Sequence, residues 1–141
     1  MQWGEVLSAV LAGGLAGQLT AAFLGYRYAA RREFDNWIRD ERYRAFSDLL
    51  VCVAPFATRD EFDTWPDEIR TLSQRVYLLY PGGRPPEDIC RCIESLFNLA
   101  LDRKRGRVPD VAEWKTAMRR ENRALREGLA QAIHRSRHSR G

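Results

Sequence analysis

Residues 6–25, VLSAVLAGGLAGQLTAAFLG, contain no charged side chain. Twenty helical residues rise about 30 Å, the thickness of a bilayer's hydrocarbon core. Ser8, Gln18 and Thr20 are polar, but a hydroxyl can return its hydrogen bond to its own helix. Trp3 stands at one end of the run and Tyr26 and Tyr28 at the other, where amphipathic rings suit the headgroup layer. The stretch therefore predicts a transmembrane helix.

Charge placement sets its direction and argues against cleavage. A secretory leader carries positive charge ahead of its apolar run, and MQWGE carries net negative charge instead. Arg27, Arg31 and Arg32 follow the run. The positive-inside rule then leaves the amino terminus outside and the rest of the chain in the cytoplasm, beneath the inner (plasma) membrane. The whole sequence has a net charge of +4, and its only lysines are Lys104 and Lys115. A basic flank beside an apolar run is explained by orientation without a nucleic-acid partner, and no basic stripe interleaved with aromatics accompanies it.

The run has internal order. Ala9, Gly13, Gly17, Ala21 and Gly25 recur every four residues, and Leu7, Leu11, Leu15, Leu19 and Phe23 recur at the same interval, offset by two. At about 100° per residue the two rows take nearly opposite faces of a helix. Small residues let helix backbones approach closely in lipid, so the Ala/Gly row is a candidate face for self-association or for docking on another span. Gln18 flanks it and can add an interhelical hydrogen bond.

From Tyr26 to Ala54 there is neither Gly nor Pro. Phe34, Ile38, Ala45, Leu49 and Val53, with Trp37, Phe46 and Leu50 beside them, predict a helix that continues from the span to Pro55. Asp35–Arg39, Asp40–Arg44 and Arg44–Asp48 have the spacing of ion pairs on its wet side. PFATRDEFDTWPDE is a loop packed by Phe62 and Trp65. Ile69, Leu72, Val76 and Leu79 mark a second helix, with Thr64 as N-cap, stopped by PGGRPP. Ile89, Ile93, Leu96, Phe97 and Ala100 mark a third, ended by Gly106. Val111, Trp114, Met118, Leu125, Leu129 and Ile133 mark a fourth, interrupted by Glu121 and Asn122 and opened by a capping box of Asp110 and Glu113. The expected fold is all-α: one N-terminal transmembrane helix continuing into a cytoplasmic four-helix bundle. The expected divisions are a transmembrane anchor at 1–28, the cytoplasmic helical bundle at 29–134 and a basic flexible tail at 135–141.

No catalytic set emerges. Cys90 and Cys92 lie about 200° apart on a helix and cannot clamp one metal. His134 and His138 share a spacing but lack the glutamate of a zinc-protease motif, Arg135 standing in its place. PGGRPP lacks the Lys-Ser/Thr of a phosphate loop. No enzyme activity, cofactor or metal is expected.

GYRYAARREFDNW after the span and RVYLLYP…EDICRCIESLFNLAL in the bundle resemble a loose group of small single-pass bacterial membrane proteins with a cytoplasmic helical domain. The resemblance implies no activity and no site residues. The expected function is that of a non-enzymatic membrane-anchored scaffold or adaptor. Its partners are the lipid bilayer and a second copy or another membrane protein. An accessory subunit of a larger membrane complex and a pore-forming or lytic protein are the alternatives. Trp3, Tyr26, Arg27, Tyr28, Arg31 and Arg32 are the expected interface anchors.

Overall fold

The computed structural model of the protein describes the backbone of residues 3–138, with the side chains of residue 18, residues 20–132 and residues 134–135. Among these, every regular element is helical: α1 (Trp3–Val53), α2 (Trp65–Leu78), α3 (Glu87–Lys104) and α4 (Val111–His138), with 3₁₀ turns at Ala54–Ala57 and Pro81–Gly83. The chain is thus all-α, with the four helices expected. Met1–Ile38 and Arg39–Gly141 are separate compact units whose boundary falls inside α1.

The transmembrane part of the expectation is not carried by the fold. Among the described residues no helix is long and apolar enough to cross a membrane. The side chains of residues 6–17 lie outside that set. The described remainder meets Arg27, Arg31 and Arg32 before it reaches the length of a bilayer.

α1 enters the core of the second unit through Ala45, Phe46, Leu49 and Val53, at most 3% exposed. Phe34 and Trp37, expected on that same stripe, are instead 61% and 54% exposed. The period was read correctly, but an apolar stripe is buried only where another element lies against it. The two ion pairs expected of Arg44 also differ: Arg44 pairs with Glu41 at 2.9 Å, and Asp48 with Arg75 of α2 at 2.9 Å.

Pro55 cannot donate a backbone hydrogen bond, so α1 ends with carbonyls in need of donors. Two distant side chains supply them. Trp65 Nε1–H donates to the Cys52 carbonyl at 3.0 Å, and Asn122 Nδ2–H to the Val53 carbonyl at 3.2 Å. Farther back on α1, Arg42 Nε–H donates to the Leu79 carbonyl at 2.8 Å and lies 4.5 Å from the Tyr80 ring centroid. α2 and α4 therefore both hold the end of α1.

Phe56, Phe62, Trp65 and Trp114 form an edge-to-face cluster with centroids 5.7–6.3 Å apart. Such pairs contribute about 0.5–1.5 kcal/mol each beyond area burial. Arg103 lies 5.0 Å from the Phe62 ring and 5.5 Å from Trp114, and Arg59 lies 5.3 Å from Trp65. Trp114 Nε1–H donates to the Leu99 carbonyl at 3.0 Å. The cluster ties the α1–α2 connection to α2, α3 and α4, and the expectation that Phe62 and Trp65 pack that loop holds.

α3 packs against both α2 and α4. Ile89, Ile93, Leu96 and Ala100 face inward from it, and Ile69 and Val76 from α2. A Cβ on Gly128 would stand 3.3 Å from Ile89 Cγ1 and 3.5 Å from Asp88 Oδ2, so the absent side chain lets α4 lie close to the first turn of α3. Gly106 takes φ +66° where α3 ends, a conformation that favours glycine. Asp110 Oδ1 accepts from the N–H groups of Ala112 and Glu113 at 2.8 and 3.1 Å, capping α4 as expected. Thr64 departs from its expected role. Its side chain makes no capping bond, and its hydroxyl donates to Glu68 Oε1 at 2.7 Å.

Candidate functional site

Two surfaces stand out among the described residues. The first lies on α1, in the first unit. Phe23, Leu24, Tyr26 and Tyr28 are 52–74% exposed. Phe23, Tyr26, Phe34 and Trp37, with Ala30 between, recur at intervals of three and four and so share one stripe of the helix. Phe34 and Trp37 touch with centroids 5.9 Å apart, and the Arg27 guanidinium lies 5.8 Å from the Phe23 centroid. Of the expected interface anchors, Tyr26, Arg27, Tyr28, Arg31 and Arg32 are all exposed, and the side chain of Trp3 lies outside the described residues. Of the expected small-residue face, Ala21 and Gly25 are exposed, and a Cβ on Gly25 would meet nothing within 4 Å. The side chain of Ala9, together with Gly13 and Gly17, lies outside the described set.

The second surface belongs to the other unit. A groove of about 320 Å³ runs between the end of α1 and the middle of α4. Leu50, Ala54 and Phe56 make its apolar side, and Arg119, Asn122, Arg123 and Arg126 its polar side. Those four recur at i, i+3, i+4 and i+7, one face of a helix. The three arginines are exposed. None of them has an ion pair, a hydrogen bond or an aromatic ring as partner among the described residues, in contrast to Arg44, Arg59, Arg75, Arg107 and Arg120, which all pair with acids. No carboxylate lines the groove. Asn122 is fixed in orientation because only its Nδ2 can donate to the Val53 carbonyl. Its Oδ1 is then buried with no hydrogen-bond partner.

In the sequence Glu121 and Asn122 read as a break in an apolar stripe. The sequence signal for the groove is an asparagine at a core-facing position with arginines at i−3, i+1 and i+4.

Several other polar groups are held by their neighbours. Arg59 reaches Glu68 Oε1 and Oε2 at 2.9 and 3.0 Å and also donates to the Glu61 carbonyl at 2.6 Å. The Thr64 hydroxyl, with Arg59 assisting, holds the Glu68 carboxyl below the usual range against the opposing effect of burial. Burial raises the thiols of Cys52, Cys90 and Cys92, with the Glu68 carboxylate adding to the effect at Cys52. All three cysteines are free. Burial also pushes the Tyr77 phenol up to about 12. A smaller hollow of about 80 Å³ beside Tyr77 is lined by Arg70, Glu94 and Phe97, with the Arg70 guanidinium 4.1 Å from the Phe97 centroid. His134 is exposed. No group of three or more metal-ligating side chains occurs among the described residues. No protein-family model, curated protein or solved structure matches the chain.

Proposed function

We propose that the protein is a membrane-anchored, non-enzymatic helical module whose α1 enters the bilayer through residues 6–25 and whose bundle meets a cytoplasmic partner. One observation carries this reading. The charge-free run lies on the same helix as the exposed belt of Phe23, Leu24, Tyr26 and Tyr28, and Arg27, Arg31 and Arg32 stand among and just beyond those residues. Apolar and aromatic side chains standing in water lose about 25 cal/mol for each Å² left uncovered. A bilayer interface covers aromatic rings and attracts guanidinium groups to its anionic headgroups, about 1 kcal/mol for each near the surface. Within this reading the small-residue row Ala9, Gly13, Gly17, Ala21 and Gly25 is the face on which α1 meets a second copy or another span.

Membranes from cells expressing the chain test the anchor. The protein is expected to stay with them through an alkaline carbonate wash and to float with them in a density gradient. Release by the wash would defeat the proposal. In intact spheroplasts an impermeant maleimide is expected to leave Cys52, Cys90 and Cys92 unlabelled, and labelling would reverse the orientation. Changing Gly13 and Gly17 to Leu is expected to abolish self-association in membrane fragments. A stoichiometric foreign protein recovered in mild detergent would assign the row to an accessory-subunit contact instead.

A further inference from the structure

The unit Arg39–Gly141 carries two patches of exposed, unpaired charge, opposite in sign, on either side of one tryptophan. The basic patch is the α1–α4 groove with Arg119, Arg123 and Arg126. The acidic patch is Asp60, Glu61 and Asp63, in the connection from α1 to α2. Phe56 lines the groove, and Phe62 stands between Glu61 and Asp63 in the chain. Both rings meet Trp114, with centroids 6.0 and 6.1 Å away. We propose that this surface docks a second copy of the chain about a two-fold axis, the acidic connection of each copy lying on the arginine row of the other. The contact belongs to the bundle and does not depend on the anchor or on the meeting of spans.

Neither patch is relieved within one copy. Asp60, Glu61 and Asp63 are all exposed, and none has an ion pair or a side-chain hydrogen bond among the described residues. The cations nearest them in the fold are committed elsewhere. Arg59 holds Glu68 at 2.9 Å, Arg103 lies over the Phe62 and Trp114 rings, and Lys104 stands 3.9 Å from Asp67. On α4, Arg119, Arg123 and Arg126 follow one another at four and three residues, close enough for like charges to repel. No acid lines the groove to relieve them. Three carboxylates in one patch thus match three guanidinium groups in the other.

That pairing selects the occupant. A small anion would neutralise the arginines and leave the acids as they are. A partner that serves both patches must carry both signs side by side, and a second copy does. A two-fold contact sets one surface against itself, so the surface must be self-complementary. A wholly basic face fails that requirement by repelling its copy. A face with a basic half beside an acidic half meets it, because the axis lays each half on its opposite. The stretch of chain between the halves is apolar and uncovered. Val51 is 72% exposed, and Ala54, Pro55 and Ala57 are exposed beyond it. An interface puts such surface at its centre and its charges at the rim, where they fix register and reject wrong partners.

Sedimentation velocity of the full chain in neutral detergent tests the contact. Every chain in the experiment also carries Gly13→Leu and Gly17→Leu, which remove the row through which the spans are proposed to meet. This parent chain is expected to self-associate at about 0.1 M salt and about tenfold or more weakly at about 1 M, where screening shortens from about 10 Å to about 3 Å. Asp60→Lys with Asp63→Lys, and Arg119→Glu with Arg123→Glu, are each expected to weaken self-association about tenfold or more. Mixed in equal amounts, the two variants are expected to pair with each other to within about threefold of the parent, because the charges then oppose at both contacts. That recovery also shows that both variants are folded. If circular dichroism shows either one unfolded, Asp63→Asn and Arg123→Gln replace them, each expected to weaken association about threefold. A monomeric parent chain would overturn the proposal. Association that ignores salt and charge changes would overturn it too and return the contact to the spans. Folded variants that stay apart when mixed would overturn it as well.

Discussion

Trp114→Ala tests the aromatic cluster as the joint of the bundle. Trp114 is 5% exposed and meets Phe56, Phe62 and Trp65 edge to face. Burying an indole removes about 150–250 Å² from water, which at roughly 25 cal/mol per Å² corresponds to about 4–6 kcal/mol. The hydrogen bond to the Leu99 carbonyl adds about 1 kcal/mol. Relaxation around the cavity recovers part of this, so the net loss should be about 3–5 kcal/mol. A domain has only about 5–15 kcal/mol in hand. Urea titration read by near-ultraviolet circular dichroism should move its midpoint down by roughly 2 M. Trp114→Phe keeps ring contacts and loses only the indole N–H and some area, so it should fall between the two. Leu78→Ala is the control, since Leu78 is 81% exposed and should change stability by about 0.5 kcal/mol or less. Coincident midpoints for Trp114→Ala and Leu78→Ala would refute the assignment of the cluster as a joint.

Glu68 has a depressed carboxyl, so the stability it contributes is present above its unfolded value near 4.5 and disappears as pH falls through the lower folded value. Glu68→Gln should flatten the acid limb of a denaturation-midpoint profile. Tyr77 has the opposite sign: its contribution is complete below pH 10 and is lost as pH rises from 10 towards about 12. Tyr77→Phe should lessen the loss of stability in that window. Gly106→Ala meets no steric contact but must hold φ +66°, and should lower stability by about 1 kcal/mol in a thermal melt. The raised thiols of Cys52, Cys90 and Cys92 should alkylate at pH 8 more slowly in the native chain than in urea, as a mass-resolved time course would show.

Helix positions were legible in the sequence because three kinds of local signal agreed. Pro55 and Gly106 act on backbone geometry, Asp110 acts within one turn, and the 3–4 apolar spacing of Ile69 to Val76 or Ile89 to Ala100 needs no distant information. What depends on a partner element was not legible. Phe34 and Trp37 carry the right period and remain exposed, because period says which face is apolar and not where another helix covers it. Thr64 holds the cap position, but its hydroxyl goes to the Glu68 carboxylate, which Arg59 has drawn near. Asn122 looked like a flaw in a stripe. Its role follows from the Val53 carbonyl, far away in sequence, and its orphaned oxygen follows from that bond. The arginines of the groove were visible as letters, and only the fold places Leu50 and Phe56 beside them.

The two side chains that finish α1 also impose an order of events. Trp65 stands 13 residues beyond the carbonyl it serves, and Asn122 stands 69 beyond. A chain made from its amino end presents α1 first, whereas a domain generally folds as a unit. The donor for the Cys52 carbonyl has been made once synthesis passes the start of α2. The Val53 carbonyl must rely on water until α4 has been made. During that interval the Val53 carbonyl stands without its side-chain donor. Asn122 thus cannot serve the Val53 carbonyl before α4 has been made, and a defect there should show as slow maturation as well as a lower melting point.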